Sequence, residues 1–364
     1  MSATTGKTAP ATPPPLVFVS SFAGGEKGTI LAFRMNPKSG ALKRAAQTAD
    51  AEFPFFMALS PDQRVLYAIH TESFGKDINQ VAAYSLKGRS GNLKLINRQP
   101  THGKASCYLD VDATGKTLLV ANYLTGDIGS VPLKKNGSLG RMVSLFRHKG
   151  SGADPKRQKG PNAHCIVVSP DNRFAFAADL GIDKVMSYRL EPELGKLTRN
   201  KPSFTKVPPG SGPRHLTFHP DGKFVYLINE LANTLSVFRY TAKTGTLTDI
   251  QNISTLPKAY EGRTHTADLK ITPNGKFLFG TNRGHDSIAS YRIGKDGKLK
   301  LIEITPSLGK GPQNLAVAPD GRHLFCANMP GNNLVTFRIG ETGKLEAVGK
   351  PIEVTMPSCI MIAE

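Results

Sequence analysis

The 364-residue chain has no tryptophan, only 4 cysteines, and far fewer acids than bases. Each shortage excludes something. Without Trp, no repeat array signed by a Trp-Asp dipeptide is present. Cys107, Cys165, Cys326 and Cys359 lie far apart with no CxxC pair, which argues against a zinc site and against a disulfide framework. No metal and no cofactor are expected. No apolar run approaches the ~18 residues of a membrane helix, so no membrane partner is expected. Asp and Glu number 28 against 47 Lys and Arg, a formal charge of +19. That balance can mark a nucleic-acid or anionic-surface partner. Many of the bases, however, simply follow turn glycines, as in "PDGK" (220–223), "PNGK" (273–276), "KDGK" (295–298) and "ETGK" (341–344). They read as solvated charges, and nucleic acid is not the expected partner. Only "DPKRQKG" (154–160) forms a tight basic cluster, diluted by Asp154.

What is abundant is turn chemistry. The chain has 36 Gly and 26 Pro beside clear strand patterning, which indicates an all-β protein with many tight turns. Residues 1–15, "MSATTGKTAPATPPP", read as a disordered Thr/Ala/Pro tail without the apolar core of a signal peptide. Residues 16–364 are expected to form one domain, cytoplasmic and monomeric, or periplasmic if a signal has been removed.

Turns of one kind recur after short apolar runs: "SPDQ" (60–63), "ATGK" (113–116), "SPDN" (169–172), "HPDG" (219–222), "TPNG" (272–275) and "APDG" (318–321). Each precedes an apolar strand with a polar end: His70, Asn122, Asp179, Asn229, Asn282 and Asn328. "LVFVSS" near the N-terminus supplies another end at Ser21, and successive ends lie roughly 50 residues apart. Repeats of this length with about four strands each indicate a β-propeller. The first repeat lacks its opening strand, while "MPSCIMIAE" (356–364) is an opening strand with nothing after it. The spacing therefore predicts seven four-stranded antiparallel blades, with the C-terminal strand completing the first blade and closing the ring.

The innermost strands of a propeller line its channel, so repeat alignment picks out channel positions. The first residues of the inner strands are Ser358, Phe55, Cys107, His164, Arg214, Ala267 and Gln313. The residues after the second-strand ends are Phe22, Thr71, Tyr123, Leu180, Glu230, Arg283 and Met329. The Asn/Asp column between them suits strand ends entering tight turns. His164, Arg214, Glu230 and Arg283 instead break their columns, whose other members include Phe, Ala and Ser in the first and Phe, Leu and Met in the second. They lie in adjacent blades, four to six, toward one rim, flanked by His215 and His265. A ring of structural salt bridges would explain them equally from pattern alone; their clustering favours a site that binds an anion and holds a titratable pair.

At these residues the chain resembles the seven-bladed lactonase family, which includes propeller-type 6-phosphogluconolactonases and carboxy-cis,cis-muconate cyclases. The matching stretches are "GPRHLTFHPDGKFVYLINELANTLSVF" (212–238), "LFGTNRGHDSIASYRI" (278–293), "AHCIVVSPDNRFAFAADLGIDKVMSY" (163–188) and "LLVANYLTGDIGSVPLKKNGSLG" (118–140). The resemblance implies catalytic roles for His164, Arg214, Glu230 and Arg283. His215, His265, Asn229, Asn282 and Asp179 are the accompanying substrate-binding candidates. Two departures stand out: relatives often have His where this chain has Asn162, and commonly "NE" where it reads "IHTE" (69–72). The implied activity is hydrolysis of 6-phosphogluconolactone in the pentose phosphate pathway. A lactonase or muconate-type cycloisomerase acting on another anionic lactone or carboxylic acid, and a propeller binding an acidic partner, stay open beside it. His suits general acid–base work, and the arginines suit an oxyanion or an anionic substituent.

Overall fold

The computed structural model describes residues 13–48, 51–71 and 79–364; residues 1–12 of the expected tail and Glu72 of the "IHTE" stretch lie outside that range. The described residues form seven four-stranded antiparallel sheets. In blade 5 the strands are Pro213–Phe218, Phe224–Asn229, Thr234–Thr241 and Thr246–Ser254, from the channel outward. Blade 1 is assembled from both ends of the chain. Its inner strand is Pro357–Ala363, beside Leu16–Ser21, Thr29–Met35 and Leu42–Thr48. The inner strands of neighbouring blades touch all the way round, so the ring is closed.

Burial explains the strand patterns. Every residue of Phe224–Asn229 is buried, because both faces of the blade pack on neighbours, and the strand accordingly reads as an unbroken apolar run. The outer strand Thr246–Ser254 alternates toward solvent. The turn between the first two strands is fixed by the backbone: Gly222 N donates to His219 O (2.9 Å) with Gly222 at φ +71°, a conformation glycine adopts without strain. A second glycine device joins the blades. In blades 1, 3, 5, 6 and 7 the hairpin glycine before the outer strand sits on the second strand of the preceding blade; in blades 2 and 4 it sits on the third, at Ala32 and Pro132. Gly297 (φ +82°) lies over Phe224, where a Cβ would come within 2.3 Å of the ring, and its carbonyl accepts the Tyr226 hydroxyl at 2.8 Å. Between blades 4 and 5, Phe174, Phe176, Val225, Leu227 and Phe238 form one apolar cluster, each fully buried ring contributing roughly 2–3 kcal/mol.

One regularity escaped the repeat pattern. Six of the seven aligned residues are the second, not the first, residues of their inner strands, Ala267 is the third, and there the pairing register slips. In blade 5 Pro213 faces Asn229 but His215 faces Ile228, leaving Arg214 as the extra residue of a β-bulge. The same slip falls at His164, Cys107, Gln313 and Ser358, and beside Phe55 and Ala267. A bulge releases a residue from the ladder and re-aims its side chain.

Candidate active site

Two backbone devices deliver the side chains to one mouth of the channel. The bulges carry His164 and Arg214. The residue after the second strand is then tied back over the bulge: Glu230 N donates to Gly212 O at 2.7 Å, just as Leu180 N donates to Asn162 O and Tyr123 N to Ala105 O. Arg283 ends its own strand, facing His265.

Glu230 is the hub. Arg214 Nε donates to its Oε2 at 3.0 Å, and Arg283 Nη2 lies 3.0 Å from the same oxygen. The outer oxygen, Oε1, accepts from Arg157 Nη2 at 2.8 Å. His164 Nε2 stands 4.0 Å from Oε2, a neighbour in the field but too far for a hydrogen bond. The structure thus brings His164, Arg214, Glu230 and Arg283 together and adds Arg157, which sequence reasoning missed although it lies in the one basic cluster noted. That loop has no counterpart in other blades, so no column exposed it.

Arg157 is held by a buried clip. Gln158 sends Nε2 to Leu180 O and to Asp183 Oδ1, both at 2.7 Å, and its Oε1 accepts Asp154 N at 2.8 Å. Asp154 Oδ1 in turn accepts the amides of Lys156 and Arg157. Asp154, which appeared to dilute the basic cluster, is what shapes the loop. Gly181 lets the loop close: a Cβ there would stand 1.8 Å from Gly160 O.

Beneath the hub lies a polar floor. Arg214, with a side chain only 2% exposed, also donates Nη1 to Ala267 O (2.6 Å) and lies 3.2 Å from His215 Nε2. His215 donates Nδ1–H to Asp268 Oδ1 at 2.9 Å, which leaves Nε2 as the acceptor facing Arg214. Asp268 Oδ2 takes Lys270 Nζ, Asn314 Nδ2 and Leu315 N. Tyr108 packs edge-on against His215 and stacks on Phe56, so aromatic rings plug the channel below the arginine. His215 therefore sits under the site, where it orients Arg214.

The electrostatics follow from this packing. Burial favours a neutral Glu230, but Arg283 and Arg214 outweigh it and hold the carboxyl well below its ordinary range. Burial, then Arg214 and His215, drive His164 well below the usual imidazole value, so the ring is neutral. His215 is pushed down to about 4 by burial and Arg214, against the pull of Asp268. The two outer guanidiniums shift in opposite directions on one carboxylate. Arg283 is lowered to about 10 because burial and Arg214 oppose its charge. Burial also disfavours the charge on Arg157, but its bonds to Glu230 and the Tyr123 hydroxyl win and raise it.

The remaining candidates separate. His265 lines the mouth beside Arg283, and neither ring nitrogen has a hydrogen-bond partner among the described residues. Asn229 and Asn282 are fully buried behind the cluster. Asn229 Nδ2 donates to Thr234 and Ser236 hydroxyls, and Asn282 Nδ2 to Thr255 O and Ser287 Oγ. Asp179 is not brought to the cluster: His148 Nδ1 stands 2.6 Å from its Oδ2, and Oδ1 accepts the amides of Asn162 and Gly181. Asn162 holds Tyr123 O through Nδ2 (3.0 Å), and His70 is enclosed by Glu52 O and the Tyr84 hydroxyl.

A cleft of about 500 Å³ opens beside Arg283, lined by Arg263, His265, Lys310, Gln313 and Met329 among others. A larger groove, about 1130 Å³, lies between Arg64, Tyr67, Lys116, Lys134 and Glu193 and contains no residue of the hub. Volume alone points to that groove, whereas the converging charged side chains point to the cleft, and chemistry needs the latter. Among the described residues no group of three or more His, Cys, Asp or Glu is placed to hold a metal ion.

A closed ring of seven blades, with one carboxylate among three arginines at the channel mouth, defines a seven-bladed propeller with a charged cluster at one end of its channel. Residues 16–362 match the family described as "Lactonase, 7-bladed beta-propeller", and the chain belongs to that family. It is 32% identical over 299 residues to the 6-phosphogluconolactonase of Bacillus subtilis (strain 168), covering 82% of this chain and 83% of the relative. It is 34% identical over 305 residues to the 6-phosphogluconolactonase of Formosa agariphila, covering 82% and 85%. The structure of the periplasmic gluconolactonase of Pseudomonas aeruginosa superposes with a TM-score of 0.90 at 29% identity, over 96% of this chain and 99% of that one.

Proposed function

We propose that the protein hydrolyses 6-phosphogluconolactone to 6-phosphogluconate. The observation that carries this reading is a charge count. Three guanidiniums face a single carboxylate while His164 is neutral, so the cluster holds a surplus of two positive charges. A phosphate monoester, with roughly −1.5 to −2 charge at pH 7, matches that surplus; a neutral lactone does not. The relatives named as 6-phosphogluconolactonases support the same substrate.

Hydrolysis adds one water across the ring ester. Attack on the carbonyl carbon forms a C–O bond, and neutral His164 takes the water proton, with Glu230 stabilising the imidazolium. Arg283, its side chain 27% exposed at the cleft, faces the oxyanion. The intermediate collapses as the ring C–O bond breaks, and the imidazolium returns its proton to the leaving alkoxide. Arg214 is too deeply buried to reach the substrate and instead fixes Glu230.

The neighbouring gluconolactonase supports a second reading, an unphosphorylated sugar lactone. Initial rates on 6-phosphogluconolactone and on glucono-δ-lactone, each corrected for spontaneous hydrolysis, separate the two. The proposal expects acceleration of the phosphorylated lactone with the higher kcat/KM. Acceleration of neither would end the lactonase reading of this site.

A further inference from the structure

Within the hub the three arginines are not equivalent. Arg214 is buried, with bonds to Glu230 and to the Ala267 carbonyl and a contact to His215. Arg283 is held on the carbonyls of His265 and Thr266, on Gln313 Oε1 and on Glu230. To turn away, Arg214 must give up the Ala267 carbonyl and Arg283 two backbone carbonyls. Arg157 differs. It reaches the site from a loop, its side chain is 35% exposed, and it has two side-chain partners among the described residues, Glu230 Oε1 and the Tyr123 hydroxyl. A guanidinium carries five N–H donors in a planar fork suited to phosphate. Arg157 thus keeps donors in reserve, while its backbone is fixed by the Gln158 clip and the Asp154 turn.

A rigid loop bearing one arginine held through side chains alone, with donors to spare, is built for exchange of partners. At rest Arg157 occupies the outer oxygen of the carboxylate that stabilises the His164 imidazolium, and so weakens that stabilisation. A dianionic group entering the mouth competes with Glu230 for that guanidinium and offers more charge and more acceptor oxygens. We propose that Arg157 is the specificity-determining residue of this site: it recognises the phosphate of the substrate and, in turning to it, uncovers Glu230 Oε1. Phosphate binding and activation of the site are then one event. A lactone lacking phosphate leaves Arg157 on Glu230 and meets a less basic site, so discrimination shows in kcat as well as in KM. This inference rests on the lactonase reading above and goes beyond it by naming the residue that reads the phosphate.

The test compares wild type with Arg157→Gln on 6-phosphogluconolactone and glucono-δ-lactone, with calorimetric binding of the products 6-phosphogluconate and gluconate. A lost charge-assisted fork corresponds to roughly 10- to 100-fold in affinity. Arg157→Gln is expected to weaken 6-phosphogluconate binding by that factor and to lower the kcat/KM ratio of the two lactones at least tenfold. The acid limb of the glucono-δ-lactone pH profile is expected to move to higher pH, since Glu230 has one cation fewer; a purely structural role would not move it. Equal losses on both lactones would overturn the proposal. So would intact discrimination in Arg157→Gln together with its collapse in an Arg263→Ala/Lys310→Ala double variant, which would put the phosphate in the adjoining cleft. Either result leaves the lactonase reading in place. If wild type accelerates neither lactone and binds neither product, that reading fails and this proposal fails with it.

Discussion

Replacing Glu230 with Gln keeps the shape of the hub and deletes its only negative charge, so three guanidiniums face one another without a counter-ion. Charges about 4 Å apart attract by roughly 4 kcal/mol at an effective dielectric of ~20. Arg214 and Arg283 each contribute at about that level, while Arg157 counts for less than half because solvent screens it. Desolvation of the carboxylate takes back several kcal/mol. The net expectation is a loss of roughly 3–5 kcal/mol at pH 7, the usual cost of removing one partner from a buried ionic cluster. Calorimetry should show a Tm lowered by roughly 5–10 °C. Because the variant's pocket carries a larger positive surplus, inorganic phosphate should raise its Tm more than it raises that of wild type. A variant as stable as wild type, or more stable, and indifferent to phosphate would refute the view that Glu230 neutralises this cluster.

Stability should also fall on the acid side. His70 and His215 have folded values near 4, and His164 lies well below its ordinary value, all through burial first. The unfolded chain therefore binds protons below pH ~6.5 that the folded chain refuses; the stability is fully present above that pH and is lost as pH falls toward 4, on the order of 3 kcal/mol each for His70 and His215. Urea titrations at pH 7 and pH 5 measure the difference, and equal midpoints would show that these rings are not held neutral. Gly297→Ala forces a Cβ into the Phe224 ring at a positive φ and should cost roughly 2–4 kcal/mol, read in the same titration. Gln158→Ala removes the clip beneath Arg157: phosphate discrimination should drop with Arg157 intact, and stability by roughly 1–3 kcal/mol. Unchanged discrimination would show that the clip does not position the arginine.

The ring was legible because a propeller writes its geometry as a period. Turn spacing located the blades, and the orphan strand at residues 356–364 located the closure. Columns found His164, Arg214, Glu230 and Arg283 because each differs from its counterparts. Three things stayed hidden for physical reasons. Arg157 lies in a loop found in one blade only, so it had no counterparts to differ from. The bulge adds a residue to every inner strand alike, and a uniform irregularity leaves the alignment undisturbed. The depth of His215 depends on which way its side chain turns from a strand, and a one-residue slip at Arg214 reverses that direction.

Those bulges separate the architecture from its occupants. A side chain outside the ladder owes little to the pairing that holds the blade, so the residue there can change while the blade stands. Ser358, Phe55, Cys107, Ala267 and Gln313 occupy such positions around the same channel. For an engineer they are positions at which the side chain can be changed with little cost to the pairing of the blade. The catalytic repertoire of such a ring is set by seven interchangeable seats more than by the wheel that carries them.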